Sequence, residues 1–223
     1  MLFLIPTPIG NLDDMSFRAV KLLKDVDLIL AEDTRNSLRL LNHFGIKNAI
    51  ESFHAHNEHG KLNSVIEMLQ GGKKLALISD AGTPGISDPG FLLVREAVNK
   101  GIRLTCLPGP TAIIPALVMS GLPCDKFYFE GFLPHKKGRK TRLEALIEME
   151  CTVVLYESPY RIIKLLDQLT EMGCSARAIC LTREISKIYE ENIRGTVAEV
   201  QEQMKGRDQI KGEFVVTLDG KKP

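Results

Sequence analysis

Short apolar runs alternate along this chain with longer segments in which apolar residues recur at helical spacing. The apolar runs predict strands at residues 2–5, 28–31, 75–79, 103–107, 127–132, 152–156, 178–182 and 214–218. The amphipathic segments predict helices at residues 16–24, 34–44, 61–70, 90–99, 111–120, 139–149, 159–172 and 196–204. Apolar strands between amphipathic helices are typical of βα units, whose parallel sheets are buried on both faces. The pattern therefore predicts an α/β fold with mainly parallel sheets.

The length of the chain suits one large domain or two small ones. It has 223 residues, and domains run from about 50 to 250 residues. The segment SGLPCDK at 120–126 separates a predicted helix from a predicted strand and contains glycine and proline, so we interpret it as a joint. We predict an N-terminal α/β domain at 1–119 and a C-terminal α/β domain at 120–223.

Composition excludes several classes of protein. The net charge is +1, so any signal for nucleic-acid binding must be local. No apolar run approaches the ~20 residues that a membrane helix needs, and the N-terminal MLFLIPTPIGN lacks the basic start of a signal peptide. Five cysteines without a CxxC pair indicate free thiols in a reducing compartment. These features favour a cytoplasmic protein that is not bound to a membrane.

Three histidines lie close together in the segment FHAHNEHG. His54, His56 and His59 have the spacing HxHxxH, which could bind a metal ion. No predicted helix places them on one face, and no cysteine or acidic pair nearby completes a ligand shell. We therefore expect a polar loop without a metal.

Polar residues follow most of the predicted strands at the point where each strand ends. Because open α/β sheets bind ligands at the carboxyl ends of their strands, we expect these residues to line a crevice. Local alternatives exist, since Asp33, Thr34 or Ser158 could simply begin a helix. The polar segments are Gly10–Asn11, Glu32–Arg35, 79–90, Pro108–Thr111, Glu157–Ser158 and Arg183–Glu184.

The longest of these segments, SDAGTPGISDPG at 79–90, is rich in glycine and proline. Its end predicts a helix start, with Asp88 as the cap and Pro89 at the first position. The glycine spacing matches neither GxGxxG nor GxxxxGK[ST], which disfavours a dinucleotide or a nucleoside triphosphate. Close backbone approach beside carboxylate and hydroxyl groups suits a compact ligand with an adenine, a ribose and an amino-acid end.

The motifs PTPIGN, AEDTR, ISDAGTPGISDPG, LPGPTA, YESPYR and TREISK occur in this order and resemble the tetrapyrrole-methylase superfamily of S-adenosylmethionine (SAM) enzymes. They are most similar to its ribosomal RNA small-subunit methyltransferase branch, and the resemblance covers nearly the whole chain. It implies two α/β domains with SAM in the cleft between them, a homodimer, and 2′-O-methylation of a cytidine in the decoding region of small-subunit ribosomal RNA. The implied partner is that RNA or the small ribosomal subunit.

The resemblance also implies which residues contact SAM. Tetrapyrrole enzymes commonly have Gly-Asp-Pro where this chain has Ser79, Asp80 and Ala81, a departure that agrees with the RNA branch. By position in the matching motifs, the cofactor-binding residues are Ile9, Asp80, Gly82, Thr83, Thr111, Ala112, Tyr156, Glu157 and Ile185.

Methylation of a ribose 2′-hydroxyl is helped by a group that accepts its proton. Glu32, Glu184 and Lys187 are the candidate catalytic residues, the lysine only if its surroundings lower its pKa. In this hypothesis Glu32 and Glu184 face the ribose, and Arg35, Arg183 and Lys187 hold phosphates. The alternative remains open that Glu32–Arg35 and Glu184–Lys187 are ion pairs that only shape the cleft.

A basic run, HKKGRKTR at 135–142, stands out from the nearly neutral chain. Lys136, Lys137, Arg139 and Lys140 are candidate RNA-binding residues, although such a run can also be a solvated helix start. The aromatic residues just before it fit the sheet core better than a base-stacking platform. Three other functions stay open: a SAM-dependent methyltransferase acting on a tetrapyrrole precursor, a non-catalytic RNA-binding module of ribosome assembly and, less well supported, a sugar-nucleotide transferase.

Overall fold

A computed structural model describes residues 1–222 of the protein. The chain forms two compact units, the first at Met1–Thr111 and the second beginning at Ala112. The predicted boundary at 119/120 lies at the C-terminal end of a helix, α5 (Ile113–Ser120), that contacts the sheet of the second unit. The compact unit therefore begins just before this helix.

The first unit contains one sheet in which all neighbouring strands are parallel. The strand order is β3-β2-β4-β1-β5. Strand β1 lies between two partners, since Leu2 pairs with Leu75 and with Leu104. The elements are β1 (Leu2–Leu4), α1 (Phe17–Asp25), β2 (Leu28–Ala31), α2 (Thr34–His43), β3 (Ile50–Ser52), α3 (Glu58–Gln70), β4 (Leu75–Ile78), α4 (Phe91–Asn99) and β5 (Leu104–Cys106).

Helices cover both faces of this sheet, which explains why its central strands are continuously apolar. On one face, Ile29 and Ile78 pack with Leu23 of α1 and Leu41 of α2. On the other face, alternate strand residues pack against α3 and α4. The predicted βα organisation with a buried parallel sheet is confirmed for this unit.

The second unit contains a mixed sheet, with the order β6-β7-β10-β8-β9. Only β6 and β7 are parallel; the other three neighbouring pairs are antiparallel. The expectation of mainly parallel sheets is therefore wrong here. A short connection joins β8 to β9 as a hairpin, and the last strand enters antiparallel between β7 and β8. The elements after α5 are β6 (Phe127–Phe132), α6 (Arg139–Ile147), β7 (Thr152–Glu157), α7 (Ile162–Glu171), β8 (Ala178–Arg183), β9 (Glu191–Thr196), α8 (Val197–Lys205) and β10 (Phe214–Leu218).

Side-chain caps explain several helix starts. Ser16 accepts a hydrogen bond from the Ala19 amide before α1, and Thr196 with Glu199 forms a capping box before α8. The expected cap at Asp88 is wrong, because α4 begins only at Phe91 and its cap is Gly90. No helix within residues 1–222 is long and apolar enough to cross a membrane.

Candidate active site

At the carboxyl edge of the first sheet, the loops after β1 and β4 are joined by backbone hydrogen bonds. The amide of Thr7 donates to the carbonyl of Gly82, and the amide of Gly82 donates to the carbonyl of Thr7, both at 2.9 Å. The hydroxyl of Thr7 donates to the carbonyl of Ser79 at 2.9 Å. The loop that sequence analysis singled out is thus fixed to the end of the first strand.

Two glycines suit these loops, Gly82 through its backbone conformation and Gly109 through its close packing. Gly82 has φ +80°, and a Cβ there would lie 3.7 Å from Cγ2 of Ile9 and 3.9 Å from the carbonyl of Pro110. A Cβ on Gly109 would approach the ring of Pro6 to 2.8 Å, so the turn after β5 packs directly on the turn after β1. The predicted cofactor residues Ile9 and Gly82 are therefore neighbours, and Thr83 lies half-buried beside them.

Three carboxylates interact at the ends of β2 and β4. Burial raises the pKa of Glu32, and the charge of Asp80 raises it further. Burial, together with the charges of Glu32 and Asp80, raises the pKa of Asp88 to about 6. The carboxylate of Asp80 accepts hydrogen bonds from the Asp33 amide at 3.2 Å and from Nδ2 of Asn36 at 2.9 Å. This part of the edge carries an excess of negative charge.

Arg35 pairs with its neighbour Asp33 and not with Glu32. Its Nη2 lies 2.6 Å from the Asp33 carboxylate, which also caps α2 by accepting from the Arg35 amide. This hydrogen bonding lowers the pKa of Asp33 to about 2. The Arg35 side chain is 87% exposed, so it can still reach a phosphate. The alternative of a Glu32–Arg35 ion pair is wrong, and the Glu32 carboxylate instead accepts a hydrogen bond from the backbone amide of Asp80.

The histidine segment 54–59 forms the turn before and the first residues of α3. Asn57 organises this turn, because its side-chain oxygen accepts from the His54 amide at 2.8 Å. In the part of the chain that the structure describes, no cluster of His, Cys, Asp and Glu has an arrangement that could hold a metal ion.

In the second unit, the carboxylate of Glu157 at the end of β7 receives hydrogen bonds from three groups. Its Oε2 lies 2.9 Å from Nη2 of Arg139, and its Oε1 accepts from Nε of Arg161 at 2.6 Å and from the Ser158 amide at 2.9 Å. The Glu157 side chain is 0% exposed and that of Arg139 is 3% exposed. The predicted cofactor contact of Glu157 is thus restricted to its backbone, because its carboxylate serves the fold.

Arg139 is consequently removed from the predicted phosphate-binding group, because its guanidinium is buried against Glu157. Lys136, Lys137 and Lys140 from the same basic run are exposed. The guanidinium of Arg183 is largely occupied by hydrogen bonds within the second unit, since its Nε donates to the carbonyl of Lys211.

Glu184 and Lys187 form an ion pair just after β8. The sequence predicted this pair as the alternative to a catalytic role. Nζ of Lys187 lies 3.0 Å from both Glu184 and Glu213. Burial lowers the pKa of Lys187, but these two carboxylates outweigh it and hold the pKa above its usual value. Burial likewise raises the pKa of Glu184, yet the Glu213 amide and Lys187 outweigh it and hold that pKa below its usual range. Lys187 therefore stays protonated at neutral pH and is wrong as a candidate base.

The remaining predicted cofactor residues lie at helix starts and strand ends. Thr111 and Ala112 are half-buried directly before α5. Tyr156 lies at the end of β7, where its ring contacts Phe129 and Phe132. Ile185 is buried, following β8.

Sequence reasoning missed Asp88 as a site residue and the pair formed by Arg161 and His135. The sequence context of Asp88 indicates a helix cap, and only its electrostatic interaction with Glu32 and Asp80 identifies it as part of the carboxylate group. Nη1 of Arg161 lies 2.7 Å from Nδ1 of His135. The motif YESPYR contains this arginine, so the signal was present, but its partner lies 26 residues away.

The model of the tetrapyrrole (corrin/porphyrin) methylase family matches residues 1–201. Proteins named Ribosomal RNA small subunit methyltransferase I are similar along nearly the whole chain. The one from Xylella fastidiosa is 48% identical, with 98% of this chain and 81% of its own length covered. The one from Thermotoga maritima is 42% identical, with 99% of this chain and 98% of its own length covered.

Solved structures with the same fold have much lower sequence identity. Uroporphyrin-III C-methyl transferase from Thermus thermophilus, complexed with S-adenyl homocysteine, is 16% identical with a TM-score of 0.65, over 97% of this chain and 96% of that one. Diphthine synthase is 13% identical with a TM-score of 0.76, over 98% of this chain and 89% of that one. These likenesses concern the fold alone, since one fold supports many functions.

Proposed function

The chain belongs to the tetrapyrrole methylase family, and on this premise we propose that it methylates the 2′-oxygen of a cytidine in the decoding region of small-subunit ribosomal RNA. It is a SAM-dependent ribosomal RNA methyltransferase. The observation that carries this function is the similarity, through both units, to proteins named Ribosomal RNA small subunit methyltransferase I. The choice of a cytidine and its position in the decoding region go beyond the names of these relatives and belong to the proposal alone.

The residues at the carboxyl edge of the first sheet fit SAM chemically. SAM carries a sulfonium and an α-ammonium group, and the carboxylates of Glu32, Asp80 and Asp88 supply a local excess of negative charge. We assign Ile9 and Gly82, which are neighbours in the loops after β1 and β4, to its binding by their positions in the matching motifs. The other cofactor contacts that we propose are Thr83, Thr111, Ala112, Tyr156, Ile185 and the backbone of Glu157.

SAM supplies a methyl group that is already activated, so the main tasks of the protein are alignment and removal of one proton. Glu32 is our candidate proton acceptor, because its raised pKa makes it a stronger base than an ordinary carboxylate. Glu184 is a weaker candidate, since Lys187 and the Glu213 amide stabilise its charged form. In this proposal Glu184 and Lys187 shape the site, while Arg35 contacts phosphate.

A transfer experiment with labelled SAM tests this function directly. The label is followed in parallel into small ribosomal subunits that lack the modification, protein-free small-subunit RNA and a tetrapyrrole precursor. We expect label at one cytidine in RNA that resists alkaline hydrolysis, because a methylated 2′-oxygen cannot attack the neighbouring phosphate. Label in the tetrapyrrole alone would overturn the proposal in favour of a small-molecule methyltransferase. SAM binding without transfer to either RNA substrate would contradict it as well.

We also propose that the protein acts in the cytoplasm as a homodimer, with the ribosomal RNA or the small subunit as its partner. The resemblance of its motifs to the RNA branch supports the homodimer and the RNA partner, and the five free cysteines support the cytoplasmic location. Light scattering measures the assembly directly, and we expect twice the mass of one chain. The mass of a single chain at micromolar concentration would contradict the dimer without affecting the proposed reaction.

A further inference from the structure

Exposed aromatic rings lie beside exposed lysines at the carboxyl ends of β6 and β7. Tyr160 is 93% exposed and Phe132 is 54% exposed. His135, Lys136 and Lys137, which follow β6 directly, are exposed as well. We call these five residues the aromatic–basic edge. β6 and β7 are adjacent parallel strands, so their carboxyl ends bring the five residues to one end of the sheet.

A β-bulge in β6 sets the direction of Phe132. The pairing with β7 shifts between Phe129 and Gly131, so one extra residue is inserted in the strand. Side chains three positions apart in a regular strand point to opposite faces. Here Phe129 and Phe132 both contact the ring of Tyr156, with centroid distances of 5.2 and 5.3 Å. The bulge therefore adds Phe132 to an aromatic group and leaves about half of its surface open.

The loop that carries the lysines is held at both ends. Arg161 bridges from Glu157 to Nδ1 of His135, at 2.6 and 2.7 Å. At the other end, Arg139 is buried against Glu157 and also donates to Gln168 at 2.9 Å. Lys136 and Lys137 lie between these two anchors. A surface that is ordered before binding loses less conformational entropy when a ligand arrives.

Exposed aromatic rings next to flexible cations are typical of surfaces that bind unpaired RNA. Rings stack on bases of any sequence, and lysines contact the phosphates between them. Paired bases in an A-form helix do not offer their faces to such rings. We propose that the aromatic–basic edge binds a single-stranded stretch of the RNA substrate, with Tyr160 and Phe132 stacking on bases and Lys136 and Lys137 contacting phosphates. This inference rests on the proposed function and names the part of the substrate that this surface recognises.

The test measures binding of a fluorescent single-stranded RNA of about 12 nucleotides, within the usual range of such sites. Y160A should weaken binding about fivefold to hundredfold, as expected for the loss of one stacked base. Y160F keeps the ring and should bind like the parent protein. F17A is the matched control, because Phe17 is 98% exposed at the start of α1 in the other unit and should bind normally.

Salt dependence separates stacking from phosphate contacts. Y160A should leave the slope of log affinity against log salt unchanged, whereas the double variant K136Q/K137Q should reduce it by about 0.7 for each lysine. A blunt-ended RNA duplex should bind equally to Y160A and the parent protein. Equal affinity of Y160A and the parent for the single strand, or equal losses on single strand and duplex, would overturn the proposal.

Methyl transfer by the parent protein is measured on the same samples. If the parent methylates RNA while Y160A binds single strands normally, the RNA-binding role proposed for the aromatic–basic edge is wrong and the proposed function stands. If the parent methylates no RNA, the proposed function fails, and the loss of single-strand binding in Y160A then decides whether the edge binds RNA at all. Tyr160 is almost fully exposed, so Y160A should fold normally, and circular dichroism checks the folding of each variant independently of SAM.

Discussion

Replacing Glu157 with glutamine leaves the guanidinium of Arg139 as a buried charge without its counterion. The two side chains are 0% and 3% exposed, so water cannot take the place of the carboxylate. Breaking a buried ion pair by removing one partner destabilises a protein by about 3–5 kcal/mol. Arg139 retains one neutral acceptor, the amide oxygen of Gln168 at 2.9 Å. We therefore expect E157Q to lower the unfolding free energy of the second unit by about 3 kcal/mol.

Replacing Arg139 with methionine should be less damaging, because Glu157 then keeps two of its three donors. Arg161 and the Ser158 amide still contact Oε1 at 2.6 and 2.9 Å. The loss should be about 1.5–2 kcal/mol, in the lower half of the usual range for one hydrogen bond to a charged group, because Glu157 keeps Arg161 as its counterion. In the double variant E157Q/R139M no buried guanidinium remains. It should therefore be more stable than E157Q alone by about 1 kcal/mol or more.

Tyrosine fluorescence in urea measures these changes selectively. The chain has no tryptophan and four tyrosines, all of them in the second unit: Tyr128, Tyr156, Tyr160 and Tyr189. K140M is the control, because Lys140 neighbours Arg139 with a side chain 77% exposed and should change stability by no more than about 0.5 kcal/mol. Equal losses in E157Q and R139M, or a double variant whose loss is the sum of the two, would refute the reasoning.

Three further predictions concern the first unit and its site. E32Q should slow methyl transfer about 10²- to 10⁴-fold, while calorimetry finds SAM binding only slightly weakened, because Asp80 and Asp88 still supply negative charge; a smaller loss of rate than in E184Q would exclude Glu32 as the base. Because the folded-state pKa of Asp88 is raised from 3.8 to about 6, its ionisation destabilises the fold as the pH rises through that window. D88N should therefore raise the urea midpoint at about pH 8 but not at about pH 3.5, and the reverse pH dependence would contradict the cluster. G109A should destabilise the first unit by about 1–3 kcal/mol, because its Cβ would approach the facing proline to 2.8 Å. The helical control G60A, with open space around its Cβ, should be neutral or stabilising by circular dichroism, and equal effects of the two would refute the steric argument.

The strands that could be predicted from the sequence are those that the core requires to be apolar. β2 and β4 are buried at every residue, so their composition alone indicates strands. β3 (IES) and β9 (ENIRGT) were missed because polar residues interrupt both, so neither forms an apolar run, and Ile193 is the single buried residue of β9. The directions of the strands in the second sheet could not be predicted from the sequence either. They depend on which strands β10 pairs with, and no local pattern specifies that pairing.

Site residues were predictable where a strand end fixes them and unpredictable where a distant partner decides their role. Asp88 has the sequence context of a helix cap, and its place among the carboxylates follows from its electrostatic interactions with Glu32 and Asp80. Glu32 follows the carboxyl end of β2, as the sequence predicts. Arg35, the partner expected for it, instead forms an ion pair with Asp33. Spacing within a helix favours the i,i+3 pair of Glu32 with Arg35. Both acidic residues precede α2, however, and the cap position of Asp33 decides the pairing.

The basic run at 135–142 illustrates the same limit within a few residues. Gly138 adopts φ +83° directly before α6, a turn that leaves Lys136 and Lys137 outside and directs Arg139 inward. The counterion of Arg139 is 18 residues away, so no local pattern distinguishes it from the lysines. The buried arginine therefore stabilises the second unit, whereas the exposed lysines form part of the RNA-binding surface that we propose. It follows that substitutions at Arg139 should change the unfolding free energy of the second unit, whereas lysine substitutions should change the salt dependence of RNA binding and leave that free energy alone.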